Sequence, residues 1–376
     1  MIKRFKINGY RKFDELELNN LGRVNFILGD NNIGKTTILE SIFNFCNGKY
    51  MPNIFYNSII RGNEELLSKV YGVAEACLSA VNKKNCFPLK FSYEADVDDN
   101  RKKFTHIFSP GPIMADLNAE LGQEIKKNRS YQYIPYNSPT GNSILKGLEK
   151  FILDWRIEES EDDVVATRLA VANGFFQSGY LINGPVYADC GFYDITAQRK
   201  LKENIRIYSK LKQTNMLDDF VNRMSTVYDN IFSIEYIPYL DGMESCVSIK
   251  NKNNEYLPLY TFGDGIQRWY TILGSMLLYQ DAYICIDEID TAFDYKVNEV
   301  FSKTLLEYAE RYNVQLFITT HNIEWMDSFL DSCKELPEIE NVRIITLKNI
   351  KNECKIRIMN GIEAFNVREK YNMELR

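Results

Sequence analysis

The run Gly29-Asp30-Asn31-Asn32-Ile33-Gly34-Lys35-Thr36-Thr37 has the residue types and spacing to hold a phosphate chain. It fits the pattern GxxxxGK[ST] and sits between an apolar stretch, residues 23–28, and a helical pattern, residues 36–46. Glycines let the backbone wrap closely around an anion, because a Cβ would block the approach or forbid the dihedrals. Backbone N–H groups and the helix N-terminus then face the phosphates. Lys35 would bridge the β- and γ-phosphates, and Thr36 would ligate Mg²⁺ through its hydroxyl.

A second constellation lies far along the chain. Tyr283-Ile284-Cys285-Ile286-Asp287-Glu288 is a short apolar run closed by two carboxylates. Such a run reads as a strand buried on both faces, and ligands in open α/β sheets bind at the carboxyl ends of strands. Asp287 is placed to hold the metal, and Glu288 to act as general base on the attacking water. Thr319-Thr320-His321 follows another apolar strand pattern, 314–319, so His321 can donate a hydrogen bond to a γ-phosphate. Phe262-Gly263-Asp264-Gly265 stands just before a helical pattern and makes a second anion-facing turn. One protomer needs one such turn per nucleotide. The natural use of the second is a head-to-tail dimer, in which Gly263, Asp264 and Gly265 close on the partner's γ-phosphate.

These residues need a scaffold, and the patterning predicts one. Residues 2–7 and 13–18 alternate and read as edge-type strands joined at Asn8-Gly9-Tyr10. Residues 23–28 read as a central strand. Residues 87–94 and 103–108 read as a hairpin across the polar turn 96–102. Helices are expected over 62–82 (with a following strand), 115–130 and 142–160, and surface loop over 160–165. Residues 197–231 read as mostly helical, and 232–239, 244–250 and 255–260 as short strands. From there, helix 265–279, strand 283–286, helix 296–312, strand 314–319, helix 323–331 and strands 342–347 and 353–358 complete the chain. Alternating strand and helix is the grammar of a mostly parallel sheet covered by helices. The expected division is 1–110 and 256–376 as two parts of one core, with 111–255 as an inserted, mainly helical subdomain.

Composition narrows the partners. Apolar residues make up 45% and charged residues 26%, as in an ordinary soluble protein. The formal charge of −6 argues against general coating of nucleic acid. Two basic stretches remain: Lys3, Arg4, Lys6, Arg11 and Lys12, and a second within 197–223. The cysteines lack CxxC spacing and only two histidines exist, which argues against a structural zinc site. No signal-peptide pattern and no apolar stretch of membrane-spanning length is seen, so a cytoplasmic setting and no membrane partner are expected.

Taken together, these motifs resemble an ABC-type ATPase of the SMC and RecF class. The chain looks most like the AAA15-like group related to the ATPase half of the overcoming-lysogenization-defect (OLD) nucleases. In that family's terms Gly29–Thr37 is the Walker A loop and Ile284–Glu288 the Walker B strand. Gly263–Gly265 falls on the signature motif, His321 on the switch histidine, and Asp290-Thr291-Ala292 on the D-loop. The signature here lacks the family's serine. The resemblance implies an α/β P-loop fold of ABC/SMC type, a mixed and mostly parallel sheet with an insertion. It also implies ATP and Mg²⁺ as ligands, and a homodimer or higher homo-oligomer closed through the ATP sites. The chain leaves no room after the last ATPase strand for the nuclease domain of the OLD enzymes, so a separate nuclease or toxin effector is expected. The function implied is an ATP-hydrolysing sensor or regulator of an antiphage defence system. The alternative is a RecF-like repair ATPase that binds DNA directly.

Overall fold

The computed structural model describes residues 1–46, 86–87, 89–98, 100–110, 134–135, 153–158, 164–172, 175–178, 188–238, 245–290, 293, 295–350 and 353–371. The chain forms two compact units. One comprises Met1–Asn20 and Glu40–Ala188, the other Leu21–Leu39 and Asp189–Arg376. The expected boundaries at 110 and 255 do not coincide with this division.

The first unit is built on an antiparallel sheet of seven strands. In order across the sheet they are Phe175–Ser178, Val164–Ala172, Leu153–Glu158, Asn100–Pro110, Leu89–Val97, Ile2–Tyr10 and Phe13–Leu18. The amino-terminal hairpin forms as expected, but its turn is at Arg11-Lys12, not at residues 8–10. Arg11 takes the positive φ of 49° that the tight turn needs. Ile2–Tyr10 therefore lies inside the sheet and only Phe13–Leu18 at its edge. The second hairpin also forms, with longer strands than the pattern suggested. Residues 153–158 are a strand and not the end of a helix. Leu153, Trp155 and Ile157 alternate with Asp154, Arg156 and Glu158, a period of two that suits pairing on both sides. Val164 and Val165, expected in a loop, begin the next strand. The helices expected at 62–82, 115–130 and 142–152 lie outside the described residues.

The core of this unit is aromatic. Tyr10 packs on Phe91 at 5.1 Å and on Tyr93 at 5.3 Å, and Phe45 packs on Phe104 at 5.3 Å. His106 stacks on Phe91 at 4.6 Å, and its burial pushes the imidazole down to about 3. Asn44 donates to the hydroxyls of Tyr10 and Tyr93. Arg11 Nη1 meets the fully buried Glu40 carboxylate at 2.8 Å.

The second unit carries the alternating strand and helix grammar. Its six-stranded sheet runs Cys190–Tyr193, Tyr283–Ile286, Gln315–Thr319, Val24–Gly29, Val342–Ile350 and Glu353–Asn360. The first five strands are parallel and the last is antiparallel. Val24–Gly29, Tyr283–Ile286 and Gln315–Thr319 are buried along their whole length, and helices pack on the face presented by Phe26, Leu28, Ile284, Ile286, Leu316 and Ile318. Those helices include Asp264–Leu278, Tyr295–Arg311 and Ile323–Cys333, whose apolar stripes enter one core around Trp269, Phe301 and Phe329. Leu201–Gln213 and Leu217–Ser225 are the two α-helices within 197–231, after the short 3₁₀ helix Ala197–Arg199. A three-stranded sheet, Ser233–Pro238, Ser245–Lys250 and Tyr256–Pro258, follows. A closing helix, Gly361–Tyr371, was not in the patterning. A reciprocal cap starts it: Asn360 Oδ1 accepts from Glu363 N at 2.8 Å and Glu363 Oε2 accepts from Asn360 N at 2.9 Å. Among the described residues no helix is long and apolar enough to cross a membrane.

Candidate nucleotide site

All the residues singled out for chemistry belong to the second unit. Parallel strands put their carboxyl ends on one edge of the sheet, and three of those ends bring the polar residues together.

The strand Val24–Gly29 leads into the glycine-bounded loop Gly29–Gly34. Gly29 has φ 147°, and a Cβ there would stand 2.7 Å from Leu347 O, so both the conformation and the space require glycine. Asn32 and Gly34 also take positive φ, 62° and 110°, which curls the loop into the helix Lys35–Cys46. Asp30, Asn31 and Asn32 face solvent, whereas Gly29, Ile33, Lys35 and Thr37 are buried and Gly34 and Thr36 half-buried. Lys35 Nζ donates to the carbonyls of Gly29 at 2.7 Å and Asp30 at 3.0 Å, which holds the ammonium over the loop.

The strand Tyr283–Ile286 delivers the carboxylates. Asp287 Oδ1 accepts from Thr36 Oγ1 at 3.1 Å and from Thr319 Oγ1 at 2.6 Å. The parallel register Ile286↔Ile318 makes the second contact, since the next residue on each strand is Asp287 or Thr319. Glu288 sits at φ 53°, a left-handed conformation that costs a non-glycine residue about 1–2 kcal/mol. Its backbone is held from both sides. Its N–H donates to Thr319 Oγ1 at 2.9 Å, and its carbonyl accepts from Arg268 Nη2 at 2.9 Å.

Arg268 itself is buried on the helix Asp264–Leu278 and also reaches the Asp194 carbonyl. Burial lowers its pKa, while the carboxylates of Asp290, Asp194, Asp264 and Glu288 act in the opposite direction. Thr320 Oγ1 donates to Asp290 Oδ1 at 2.7 Å and accepts from Asn322 N, so the segment carrying His321 is tied to Asp290, two residues beyond Glu288. His321 is exposed.

Thr36, Asp287 and Glu288 are thus linked through Asp287 and Thr319, with Lys35 next to Thr36 on the loop. Gly263, Asp264 and Gly265 are not part of this arrangement. Gly263 and Asp264 lie in an open depression of about 610 Å³ lined also by Arg199, Leu201, Tyr260, Phe262 and Gln267. Gly263 has φ −59°, and no atom of the described residues lies within 4 Å of where a Cβ would stand. The described fold does not need glycine there. Thr319 and Arg268 were not foreseen as functional. Thr319 was visible as the polar residue closing a buried strand, but Arg268 gave no signal in the sequence.

A family model described as "AAA ATPase domain" matches residues 1–163. A second, described as "AAA domain, putative AbiEii toxin, Type IV TA system", matches residues 119–327, more than half of the chain. The chain belongs to this AAA family. It is an ATPase. An ATP/GTP phosphatase of Helicobacter pylori is 20% identical over 369 residues, spanning 93% of this chain and 92% of that protein. The DNA replication and repair protein RecF of Rickettsia rickettsii is 23% identical over 369 residues, spanning 87% of this chain and 96% of that protein. Among solved structures, the SMC head domain from Thermotoga maritima aligns with a TM-score of 0.42 and 12% identity, over 96% of this chain and 99% of that one.

Proposed function

We propose that the protein is an ATP-driven switch in which two copies close over two nucleotides. The observation that carries this reading is the Thr36–Asp287–Thr319 chain of hydrogen bonds, with Glu288 pinned beside it. A hydroxyl and a carboxylate 3.1 Å apart at the mouth of a phosphate loop are the oxygen ligands a hard divalent cation prefers. The cradle at Gly29, which a Cβ would fill, suits close backbone approach to phosphate. Thr36 and Asp287 would hold Mg²⁺, whose charge would offset that of the triphosphate. Residues 29–37 would cradle the phosphates, with Lys35 on the β- and γ-groups. Glu288 would orient and deprotonate the attacking water, and His321 would donate to the γ-phosphate. Gly263, Asp264 and Gly265 would face the nucleotide held by the second copy. The bare surface at Gly263 supports this, because a glycine that its own chain does not require suits close approach by an outside group.

The biological setting we favour is antiphage defence, with a separate toxin or nuclease as effector. The family description, "putative AbiEii toxin, Type IV TA system", supports a toxin–antitoxin setting. A second reading, a RecF-like ATPase acting on DNA, is favoured by one observation. Lys200, Lys202, Lys210 and Lys212 on and beside the helix Leu201–Gln213 have no ion-pair partner among the described residues. Arg4, Lys6 and Arg11, by contrast, are each in an ion pair.

Light scattering on the Glu288→Gln protein tests the switch. A dimer with Mg-ATP and a monomer without it is the expected result, and a monomer in both contradicts it. Retention of duplex DNA by that protein at two salt concentrations separates the two settings. ATP-strengthened, salt-sensitive binding favours the RecF-like one.

A further inference from the structure

The depression beside Gly263 holds polar groups that the fold leaves without a use. Arg199 ends the short 3₁₀ helix Ala197–Arg199 and is exposed. Its backbone is fixed by a bond from its N–H to Thr196 O at 3.0 Å, and Asn204 Nδ2 holds the neighbouring Gln198 carbonyl. Its guanidinium has no ion-pair partner among the described residues. Gln267 is only 5% exposed. Its Nε2 donates to the carbonyls of Phe262 and Tyr260, which fixes the amide orientation. Its Oε1 is therefore an acceptor, and it is buried with no hydrogen-bond partner among the described residues. Native proteins rarely leave such an atom unmet unless a ligand or water supplies the donor. Tyr260 and Leu201 are half-exposed on the same lining.

An occupant of this depression must offer an anion to Arg199 and a donor to Gln267. It must also offer flat or apolar surface to Tyr260 and Leu201, and come close to bare backbone at Gly263. A nucleotide has all four. The motif carries the Asp264 carboxylate and no hydroxyl before Gly263, so the motif's side chains alone would repel a triphosphate rather than hold it.

We infer that Arg199 acts in trans, pairing with the phosphates of the ATP held in a second copy's phosphate loop, while Gln267 Oε1 accepts from a hydroxyl or amino group of the same nucleotide. This rests on the two-copy reading above. Arg199 then supplies the charge that offsets Asp264 at the closing interface, and the closed dimer depends on it. Binding of ATP to a single chain does not, because Gly29–Thr37 lies outside the depression.

The test uses the full chain in the Glu288→Gln form, with Mg-ATP as the probe. Binding of a fluorescent ATP analogue to dilute protein is measured first, then dimerisation by sedimentation. Arg199→Ala should leave the first unchanged and raise the protein concentration needed for the second by about tenfold or more. Arg199→Lys should recover part of the loss. Arg206→Ala, which removes a base outside the depression, should change neither. A mixing experiment on the hydrolysing protein shows the trans arrangement. Lys35→Ala chains retain Arg199, and Arg199→Ala chains retain Lys35. Together they should release phosphate faster than either alone, because their mixed dimer contains one complete site. Dimerisation of Arg199→Ala at the parent's concentration would overturn the assignment, and so would loss of ATP binding by dilute Arg199→Ala or absence of rescue on mixing. If the parent Glu288→Gln protein stays monomeric, the two-copy reading has failed and this one with it. If the parent dimerises and Arg199→Ala does too, only the role of Arg199 has failed. An acidic protein partner in place of nucleotide would appear as that second outcome.

Discussion

The two compact units both bury polar side chains, but they place them differently. In the antiparallel unit Glu40, Asn44, Glu94 and His106 are scattered through the packing, Glu40 and Asn44 held by hairpin and sheet residues and Glu94 and His106 by neighbouring strands. In the parallel unit Lys35, Asp287, Thr319 and Thr320 gather at one edge of the sheet. The cause is topological. Antiparallel strands point their ends in opposite directions and share no carboxyl edge. Parallel strands share one, so residues that follow buried runs collect there. Buried polarity scattered through the packing should therefore govern stability, and that gathered at the shared edge chemistry.

Variants can break this comparison. The largest effect is expected from Lys35→Ala, which should weaken ATP binding about a thousandfold, or about 4 kcal/mol, by removing the buried cation over the loop. Titration with a fluorescent nucleotide reads it, and the melting temperature should barely move. Glu40→Gln in the other unit should do the reverse. It leaves Arg11 without its buried partner and should destabilise the protein by about 3 kcal/mol in denaturant titration. Arg11→Met with Glu40→Leu should restore most of that, since no charge is then left unpaired.

Next in size is a pH effect from His106. Folded, its imidazole stays neutral down to about pH 3, while the unfolded ring gains a proton near 6.5. The unfolded state then binds more protons, so stability falls as pH drops below about 6.5, by about 2 kcal/mol at pH 5. His106→Phe should flatten the difference in stability between pH 7 and pH 5. A difference as steep as in the parent would remove His106 as its source. The smallest effect is expected from Thr319→Val, which removes the bonds to Asp287 and Glu288 N but keeps the shape. Phosphate release should slow about tenfold with ATP affinity little changed.

How much of this could be read from the residues follows the same divide. Gly29–Thr37 and Asp287-Glu288 were legible because each is contiguous: the strand, the turn and the chemistry lie in a few neighbouring positions. The parallel sheet was legible from buried runs of fixed length at 283–286 and 314–319. Thr319 was visible, but not its bond to Asp287, which depends on the register between strands 32 residues apart in sequence. Arg268 was hidden for a similar reason, since it bridges backbone at Asp194 and Glu288. In the antiparallel unit the alternation at 153–158 is only six residues long, and the apolar spacing before it favoured a helix. The closing helix Gly361–Tyr371 has a weak apolar stripe and is announced only by its cap.

The most direct test is single-turnover hydrolysis by the wild-type and Glu288→Gln proteins, with nucleotide binding measured on the same samples. We expect equal ATP binding and a rate about a hundredfold or more slower in the variant, as loss of a general base requires. Equal rates would contradict the account, because the residue held in place by Thr319 and Arg268 would then have no part in the chemistry.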